Sequence, residues 1–164
     1  MKEQEQFTPF FGGVFSQWYP SPMVIDGVSY GCAEQYMMAQ KARVFGDEQA
    51  LEAIMATSNP AEQKAIGRQV KGFDRRQWDS VSRDVVMRAS LAKFTSDPKL
   101  RAQLLLTEGT TLVEASPTDV IWGVGLYEND PRVHDPSQWK GTNWLGQVLN
   151  DLRASLLAMS GSNA

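Results

Sequence analysis

The sequence predicts a mainly helical fold, a single multihelical domain with a few short β-strands. Apolar residues recur at helical spacing through two long segments, about 78–94 and 143–159. Asn59-Pro60 and Asp97-Pro98 are typical helix starts, in which proline follows a capping side chain. The chain has 164 residues, 42% hydrophobic and 21% charged, and contains no internal repeat or linker. We therefore expect one domain over residues 1–164, with its core at about 7–159.

Helices are expected in six places. They run from about Ala33 to Phe45, from Asp47 to Thr57, from Pro60 to before Gly72, from Trp78 to Phe94, from Pro98 to before Gly109, and from Asn143 to Met159. A hairpin is expected to join strands at 23–25 and 28–30, and two further extended segments are expected at 112–115 and 120–122. The loop that follows has about twenty residues, and loops of that length in a compact domain are usually functional.

The chain contains one cysteine, Cys32, and one histidine, His134. A single cysteine excludes an internal disulfide and a thiol metal cluster. A zinc site usually needs three or four His, Cys or carboxylate ligands, so we expect no metal and no cofactor. Cys32 and His134 are a conceivable nucleophile–base pair, but nothing near either residue supports it, and Cys32 is expected to be a small buried apolar residue.

The charge and hydropathy of the chain argue against a duplex DNA-binding protein and against a membrane protein. A net charge of −3 argues against a protein that grips duplex DNA through many phosphates, because such binding depends on Lys and Arg. No apolar run is long enough to span a bilayer, and the first six residues are polar, unlike a signal peptide. We therefore expect a cytoplasmic protein with no membrane partner. Nothing in the sequence sets the oligomeric state.

The helix at 33–45 carries the most informative pattern. Glu34 and Lys41 share one helical face with Met37, Met38 and Phe45, so a carboxylate and an amine lie on an apolar stripe. The two are seven residues apart, a rise of roughly 10 Å, so they do not pair as close helical neighbours do. They could instead converge on a bound molecule, as an acid and a nucleophile flank a substrate. The alternative is that both are rim charges whose stems cover apolar surface. The helix alone slightly favours the alternative.

Motifs along nearly the whole chain, from about Phe7 to Arg153, resemble the NADAR family, whose members are also called YbiA-like proteins. No single motif is specific, but their ordered combination is. The motifs are Phe15-Ser16, Glu34-Gln35-Tyr36, Ala39-Gln40-Lys41, Gly67-Arg68, Trp78, Met87, Lys93-Phe94, Leu105 with Thr107, Leu112-Val113-Glu114, Trp122-Gly123-Val124-Gly125, Asn143, Leu145-Gly146 and Leu152-Arg153.

The resemblance implies cleavage of an N-glycosidic bond between a ribose C1 and a nitrogen. Family members act on ribosylaminopyrimidine phosphates of riboflavin synthesis, or remove ADP-ribose from guanine bases in DNA. The expected partner is thus a ribose-phosphate or ADP-ribose compound, with ADP-ribosylated single-stranded DNA a further candidate. Such cleavage requires protonation of the leaving nitrogen. An apolar setting raises the pKa of a carboxyl group and lowers that of an amine. We therefore expect Glu34 to donate the proton and Lys41 to attack C1 and form a Schiff base.

Further substrate contacts are expected at positions whose chemistry suits a nucleotide. They are Trp18, Tyr36, Gln40, Arg68, Asp119, Trp122, Gly123, Gly125 and Asn143. The chain also has a long loop at 126–142, which we expect to influence substrate range.

Most of these positions also have a structural interpretation. Arg68 is suited to hold a phosphate, with Gly67 allowing close backbone approach, but an exposed helical arginine is an equal alternative. Trp122 and Trp18 are suited to stack on a base or ribose, and core packing is the alternative. Asn143 is more simply an N-cap of the last helix.

Three classes of protein remain open at this point. The first is an N-glycoside hydrolase, which accounts for both Glu34 and Lys41. The second is a non-catalytic module that binds ADP-ribose or a nucleotide, which needs neither residue on an apolar stripe. The third, a structural interaction domain, leaves the long Gly- and Trp-containing loop unexplained.

Overall fold

The structure of the protein is a computed structural model that describes residues 4–161. The described residues fall into two compact units, one formed by 17–96 and the other by 4–16 with 97–161. The predicted mainly helical fold is confirmed, since the described part of the chain holds six α-helices and four short strands. That the whole chain is a single domain stays a prediction, and residues 1–3 and 162–164 lie outside the described residues.

In chain order the elements are β1 (Gln6–Phe10), β2 (Met23–Ile25), β3 (Val28–Tyr30), α1 (Ala33–Val44), α2 (Glu48–Ala56), α3 (Pro60–Gly67), α4 (Arg75–Ser96), α5 (Pro98–Leu105), β4 (Thr110–Glu114) and α6 (Trp144–Gly161). The predicted helices are all present, with ends that differ by a few residues. None of the described helices is long and apolar enough to cross a membrane.

In the unit formed by residues 17–96, helix α1 packs against α2, α3 and α4. Ala39 and Ala42 of α1 are fully buried, which lets the neighbouring helices approach closely. Gly67, at the end of α3, lies against Met38: a Cβ atom on Gly67 would be 2.0 Å from the Met38 sulfur. Gly67 therefore makes room for Met38, and the expectation that it lets the backbone approach a phosphate stays a prediction.

Side-chain caps fix the helix starts of this unit. Asn59 Oδ1 accepts a hydrogen bond from Ala61 N at 2.9 Å, which confirms the predicted cap of α3. Asp47 caps α2, and its second oxygen accepts from Lys71 N at 2.9 Å. Gln35 ties the start of α1 to the end of α2, because its amide donates to the carbonyls of Ile54 and Thr57.

In the other unit, β1 pairs in parallel with β4, from Gln6 beside Thr110 to Phe10 beside Glu114. The sequence did not indicate β1, because Phe, Pro and Gly residues around it resemble a turn-rich segment. The extended segment predicted at 120–122 does not form a strand. Its carbonyls are used at the start of α6, where Trp144 N donates to Ile121 O and Leu145 N to Trp122 O, both at 3.1 Å.

The segment at 126–142 has short stretches of regular structure. It contains two short 3-10 helices, Pro131–His134 and Pro136–Gln138, which begin after the capping residues Asp130 and Asp135. Val133 is fully buried in an apolar cluster with Val113, Ala115, Val124 and Leu126. The loop therefore contributes part of the core of its own unit.

Asn143 fastens the start of α6 to β4. Its side-chain amide donates to Leu112 O at 3.0 Å, and its Oδ1 accepts from Glu114 N at 2.9 Å. The backbone of Asn143 is left-handed, with φ of 54°. The Asn143 side chain thus provides hydrogen-bond partners for backbone groups of β4. The expectation that Asn143 caps α6 with its side chain is therefore wrong. The carbonyls of 121–122 take the first helical amides instead.

Gly146 lies directly against this junction, which leads to a stability prediction. A Cβ atom there would be 2.2 Å from Leu112 O and 2.4 Å from the Asn143 amide nitrogen. Both neighbours are held by hydrogen bonds, so we expect Gly146→Ala to lower the free energy of unfolding by roughly 1–3 kcal/mol. Urea denaturation measures this change. Gly31→Ala is the matched control, because the nearest atom to its added Cβ would be 3.7 Å away. Equal stability of the two variants would contradict the prediction.

Candidate active site

Glu34 and Lys41 mark the two ends of a stripe along α1. Glu34 lies in the first helical turn and is only 6% exposed. Its backbone N–H donates to Gln17 O at 2.9 Å, which ties the segment before the hairpin to the start of α1. Lys41 lies two turns further on and is half-buried. The burial of Glu34 does not fit the alternative that its charge lies at a rim in contact with water. The stripe therefore holds a carboxylate within apolar surroundings.

The surroundings of Lys41 act on its ammonium in opposite directions. Its Nζ lies 4.5 Å from the centroid of the Phe73 ring. Burial is the largest cause that lowers the pKa of Lys41; the Glu34 carboxylate opposes it, and the guanidiniums of Arg75 and Arg68 lower the pKa further. Glu34 is therefore near enough to act electrostatically on Lys41. The balance leaves an amine that loses its proton more readily than an exposed lysine does.

This electrostatic arrangement predicts a titration result. Glu34 raises the pKa of Lys41, so removal of its charge in Glu34→Gln should lower that pKa further. NMR of protein carrying ¹³C-labelled lysine would follow the Lys41 Cε signal with pH. Glu52→Gln, an exposed carboxylate on α2, is the control and should leave the Lys41 titration unchanged. A Lys41 pKa that is unchanged or higher in Glu34→Gln would contradict the prediction.

Lys93 on α4, part of a family motif, is a buried lysine to which sequence reasoning assigned no role. It is only 3% exposed, and its Nζ lies 5.7 Å from the centroid of the Tyr19 ring. Burial raises the pKa of the Cys32 thiol, the Glu34 carboxylate raises it as well, and the Lys93 ammonium lowers it. Buried lysines are rare because desolvation is costly. The available signal was its spacing, since Lys93 is four residues after the buried Ala89 on the same face.

The other residues predicted in this unit have different environments. Trp18 is 43% exposed, and Lys64 Nζ lies 6.0 Å from the centroid of its ring. Arg68 is exposed just after α3. Tyr36 is buried, with its ring 5.1 Å from that of Tyr30, and its hydroxyl has no hydrogen-bond partner among the described residues. Tyr36 thus lies in the core of the unit.

Gln40 is half-buried on α1. Its side-chain oxygen accepts a hydrogen bond from the Arg43 guanidinium, which also donates to the Tyr30 hydroxyl at 2.8 Å. Gln40 therefore holds Arg43 in place over the hairpin.

In the unit formed by 4–16 and 97–161, Asp119 shapes the loop that carries Trp122. Its Oδ1 accepts hydrogen bonds from Ile121 N and Trp122 N, both at 2.9 Å. The half-buried Trp122 ring contacts Trp144 edge-on, with centroids 5.7 Å apart. Asp119 thus fixes the backbone of Trp122.

The two predicted glycines of this loop allow close backbone packing. A Cβ atom on Gly123 would be 2.9 Å from the carbonyl oxygens of Asp119 and Glu114. Gly125 has φ of 71°, which favours glycine. Substrate contact by these glycines, Trp122 and Asn143 stays a prediction.

The structure therefore groups the predicted site residues by unit. Trp18, Glu34, Tyr36, Gln40, Lys41 and Arg68 belong to residues 17–96, and Asp119, Trp122, Gly123, Gly125 and Asn143 belong to the other unit. No group of three or more His, Cys, Asp and Glu residues within 4–161 is arranged to hold a metal ion.

Comparison with known proteins identifies the family. The NADAR domain family model matches residues 6–157, and the chain belongs to this family. It is 39% identical over 159 residues to Protein irg-1 of Caenorhabditis elegans, which covers 87% of this chain and 75% of that protein. It is 40% identical over 145 residues to N-glycosidase R617 of Acanthamoeba polyphaga mimivirus, which covers 85% of each.

A third relative has a solved structure. The chain is 35% identical over 144 residues to N-glycosidase YbiA of Escherichia coli (strain K12), which covers 88% of this chain and 81% of that protein. The NMR structure of Escherichia coli YbiA resembles this one with a TM-score of 0.78 and covers 97% of this chain and 89% of that one. The resemblance inferred from the ordered motifs is therefore confirmed.

Proposed function

We propose that the protein hydrolyses the N-glycosidic bond between C1 of a phosphorylated ribose and a nitrogen. It is an enzyme that acts on N-glycosyl bonds, the activity for which the relatives R617 and YbiA are named. One observation carries the assignment of residues. A buried carboxylate, Glu34, and a half-buried amine of lowered pKa, Lys41, act on each other along one stripe of α1.

In the proposed reaction Lys41 is the nucleophile and Glu34 the proton donor. The neutral Lys41 amine attacks C1, the C1–N bond breaks, and its electron pair leaves with the nitrogen, which takes the Glu34 proton. Lys41 Nζ then passes a proton to the Glu34 carboxylate. The C1–O4′ bond breaks, O4′ takes that proton from Glu34, and a protonated Schiff base forms between C1 and Nζ. Water adds to C1 as one of its protons goes to Glu34, and the C1–Nζ bond breaks as the new hydroxyl proton passes to Nζ. The sugar aldehyde is released, the neutral amine and the protonated Glu34 are restored, and one water molecule has been consumed per bond cleaved.

Two substrate types share this chemistry, and Trp18 suits both because an exposed indole stacks on any flat base. One is a ribosylaminopyrimidine phosphate of riboflavin biosynthesis, and the other is ADP-ribosyl guanine in DNA. The purified protein should be incubated with each substrate separately and the products followed by mass spectrometry.

The products distinguish the possible functions. Release of ribose 5-phosphate would assign the enzyme to metabolite hydrolysis. Release of ADP-ribose with restored guanine would assign it to reversal of DNA modification. If neither substrate changes while ADP-ribose still binds, the non-catalytic nucleotide-binding module replaces the enzyme.

A further inference from the structure

The aromatic ring of Phe73 lies at the reactive end of Lys41. Phe73 belongs to the segment between α3 and α4, and Lys41 Nζ lies over the face of its ring, 4.5 Å from the centroid. The ring is 41% exposed, so this contact lies at the surface of its unit. A bound molecule can therefore reach Nζ while the ring stays in contact with it.

Local packing holds the Phe73 ring in this place. The ring lies 5.4 Å from the Phe45 ring in an edge-to-face contact, and Phe45 directly follows the last residue of α1. Lys71 N donates to Asp47 Oδ2 at 2.9 Å, which ties the segment to the start of α2. Gly72 has φ of 78°, a conformation that favours glycine, and turns the chain just before the ring. The ring is therefore anchored to the same helix that carries the proposed nucleophile.

The face of the Phe73 ring suits a positive charge at Nζ, because the face of an aromatic ring carries negative charge density. In the proposed reaction Lys41 Nζ is positively charged in two states, the ammonium and the protonated Schiff base. In the Schiff base the charge is shared between Nζ and C1. A carboxylate at this position would also attract the charge, but it would bind the proton that the amine must lose. A phenyl ring holds no proton and does not compete for C1.

We infer that Phe73 is a catalytic residue whose ring face stabilises the positive charge on Lys41 Nζ, above all in the protonated Schiff base. This inference rests on the proposed N-glycosidase activity and adds to it a group that acts through its π electrons. No atom or proton passes to the ring, so the balance of the reaction is unchanged. The alternative is that Phe73 only fills space, in which case any apolar side chain of similar size would serve equally well.

Fluorinated phenylalanines at position 73 separate the two roles. Ring fluorines withdraw charge density from the face in steps while they nearly keep the size of the ring. Phenylalanines with one, two, three and five fluorines should therefore lower the single-turnover rate of base release progressively. The loss should reach roughly 3- to 30-fold with five fluorines, the range of a cation–π contact. Rates are compared at the limiting value of each pH profile, so that a changed fraction of neutral amine does not enter.

Simple substitutions provide a second comparison. Phe73→Leu keeps an apolar side chain but removes the ring, and it should lose as much rate as the form with five fluorines. Phe73→Tyr keeps the ring face and should lose much less. Phe11→Leu is the matched control, because Phe11 is an exposed phenylalanine of the other unit, and it should keep the native rate. A rate that does not depend on the number of fluorines, or equal losses in Phe73→Tyr and Phe73→Leu, would overturn the role of the ring.

Titration of Lys41 tests the contact without turnover. The ring favours the ammonium, so each added fluorine at Phe73 should lower the pKa of Lys41, followed by NMR of ¹³C-labelled lysine. Fluorination leaves unchanged the charged groups that also act on Lys41, which are Glu34 on α1, Arg68 after α3 and Arg75 at the start of α4.

The two measurements distinguish this inference from the proposed function. If the pKa of Lys41 falls along the series but neither substrate is hydrolysed, the proposed activity fails and the action of the Phe73 ring on the charge at Nζ stands. If hydrolysis proceeds at a rate that is independent of fluorination, the activity stands and the role of Phe73 fails.

Discussion

Lys41→Ala should abolish turnover while leaving the fold intact. Lys41 is only half-buried and its ammonium contacts the Phe73 ring, so truncation removes no large part of the core. If Lys41 is the nucleophile, its loss should lower kcat by at least roughly 10³-fold, because the covalent route is closed. Steady-state kinetics on the substrate that the native protein hydrolyses would measure this loss. Thermal unfolding would show that the variant remains folded.

Reduction with borohydride tests the covalent step directly. Added during turnover, it should convert the Schiff base into a stable amine, and peptide mass spectrometry should find the ribosyl adduct on Lys41. Lys99→Ala, which removes an exposed lysine on α5, is the control: borohydride should yield as much ribosyl adduct with this variant as with the native protein. Lys93 is the competing site, because it is the most deeply buried lysine described. An adduct on Lys93, or normal turnover by Lys41→Ala, would exclude Lys41 as the nucleophile.

The sequence predicted the helices of residues 17–96 well because their signals are local. Asn59 caps α3 through its own side chain and Pro60 follows it, so the helix start can be read from neighbouring residues. The stripe of Glu34 and Lys41 is equally local, since it depends only on helical spacing. These features need no knowledge of which segments meet in space.

The features that sequence reasoning missed depend on contacts between distant segments. Strand β1 exists because it pairs with β4, more than a hundred residues away, and the short segment has no independent signal. Asn143 was expected to cap α6, but its amide bonds to β4, and that bond involves residues about thirty positions earlier. The packing of Met38 against Gly67 is of the same kind, because it depends on two different helices meeting.

The candidate site shows the same division. The stripe of Lys41 and Glu34 could be predicted, whereas the burial of Lys93 could not. Lys93 is buried because α4 packs against α1. A lysine on a helix usually faces solvent, so its burial depends on tertiary packing that the local sequence does not reveal.

Glu34→Gln should slow the reaction by roughly 10²- to 10⁴-fold, the usual contribution of a general acid. The substitution keeps the size of the side chain and the backbone bond from Glu34 N to Gln17 O, but it removes the proton that the leaving nitrogen needs. The effect should fall mainly on kcat. Glu52→Gln, on the exposed side of α2, should retain full activity.

The leaving group decides whether Glu34 acts as an acid or only shapes the site. A base whose nitrogen leaves readily as an anion needs no proton, so the loss caused by Glu34→Gln should shrink as the leaving base becomes more acidic. A residue that merely supports Lys41 would slow all substrates equally. A series of ribosyl phosphates with bases of decreasing pKa therefore separates the two roles. A constant loss across the series would show that Glu34 acts through Lys41, whose pKa it raises, and that the proton comes from another group.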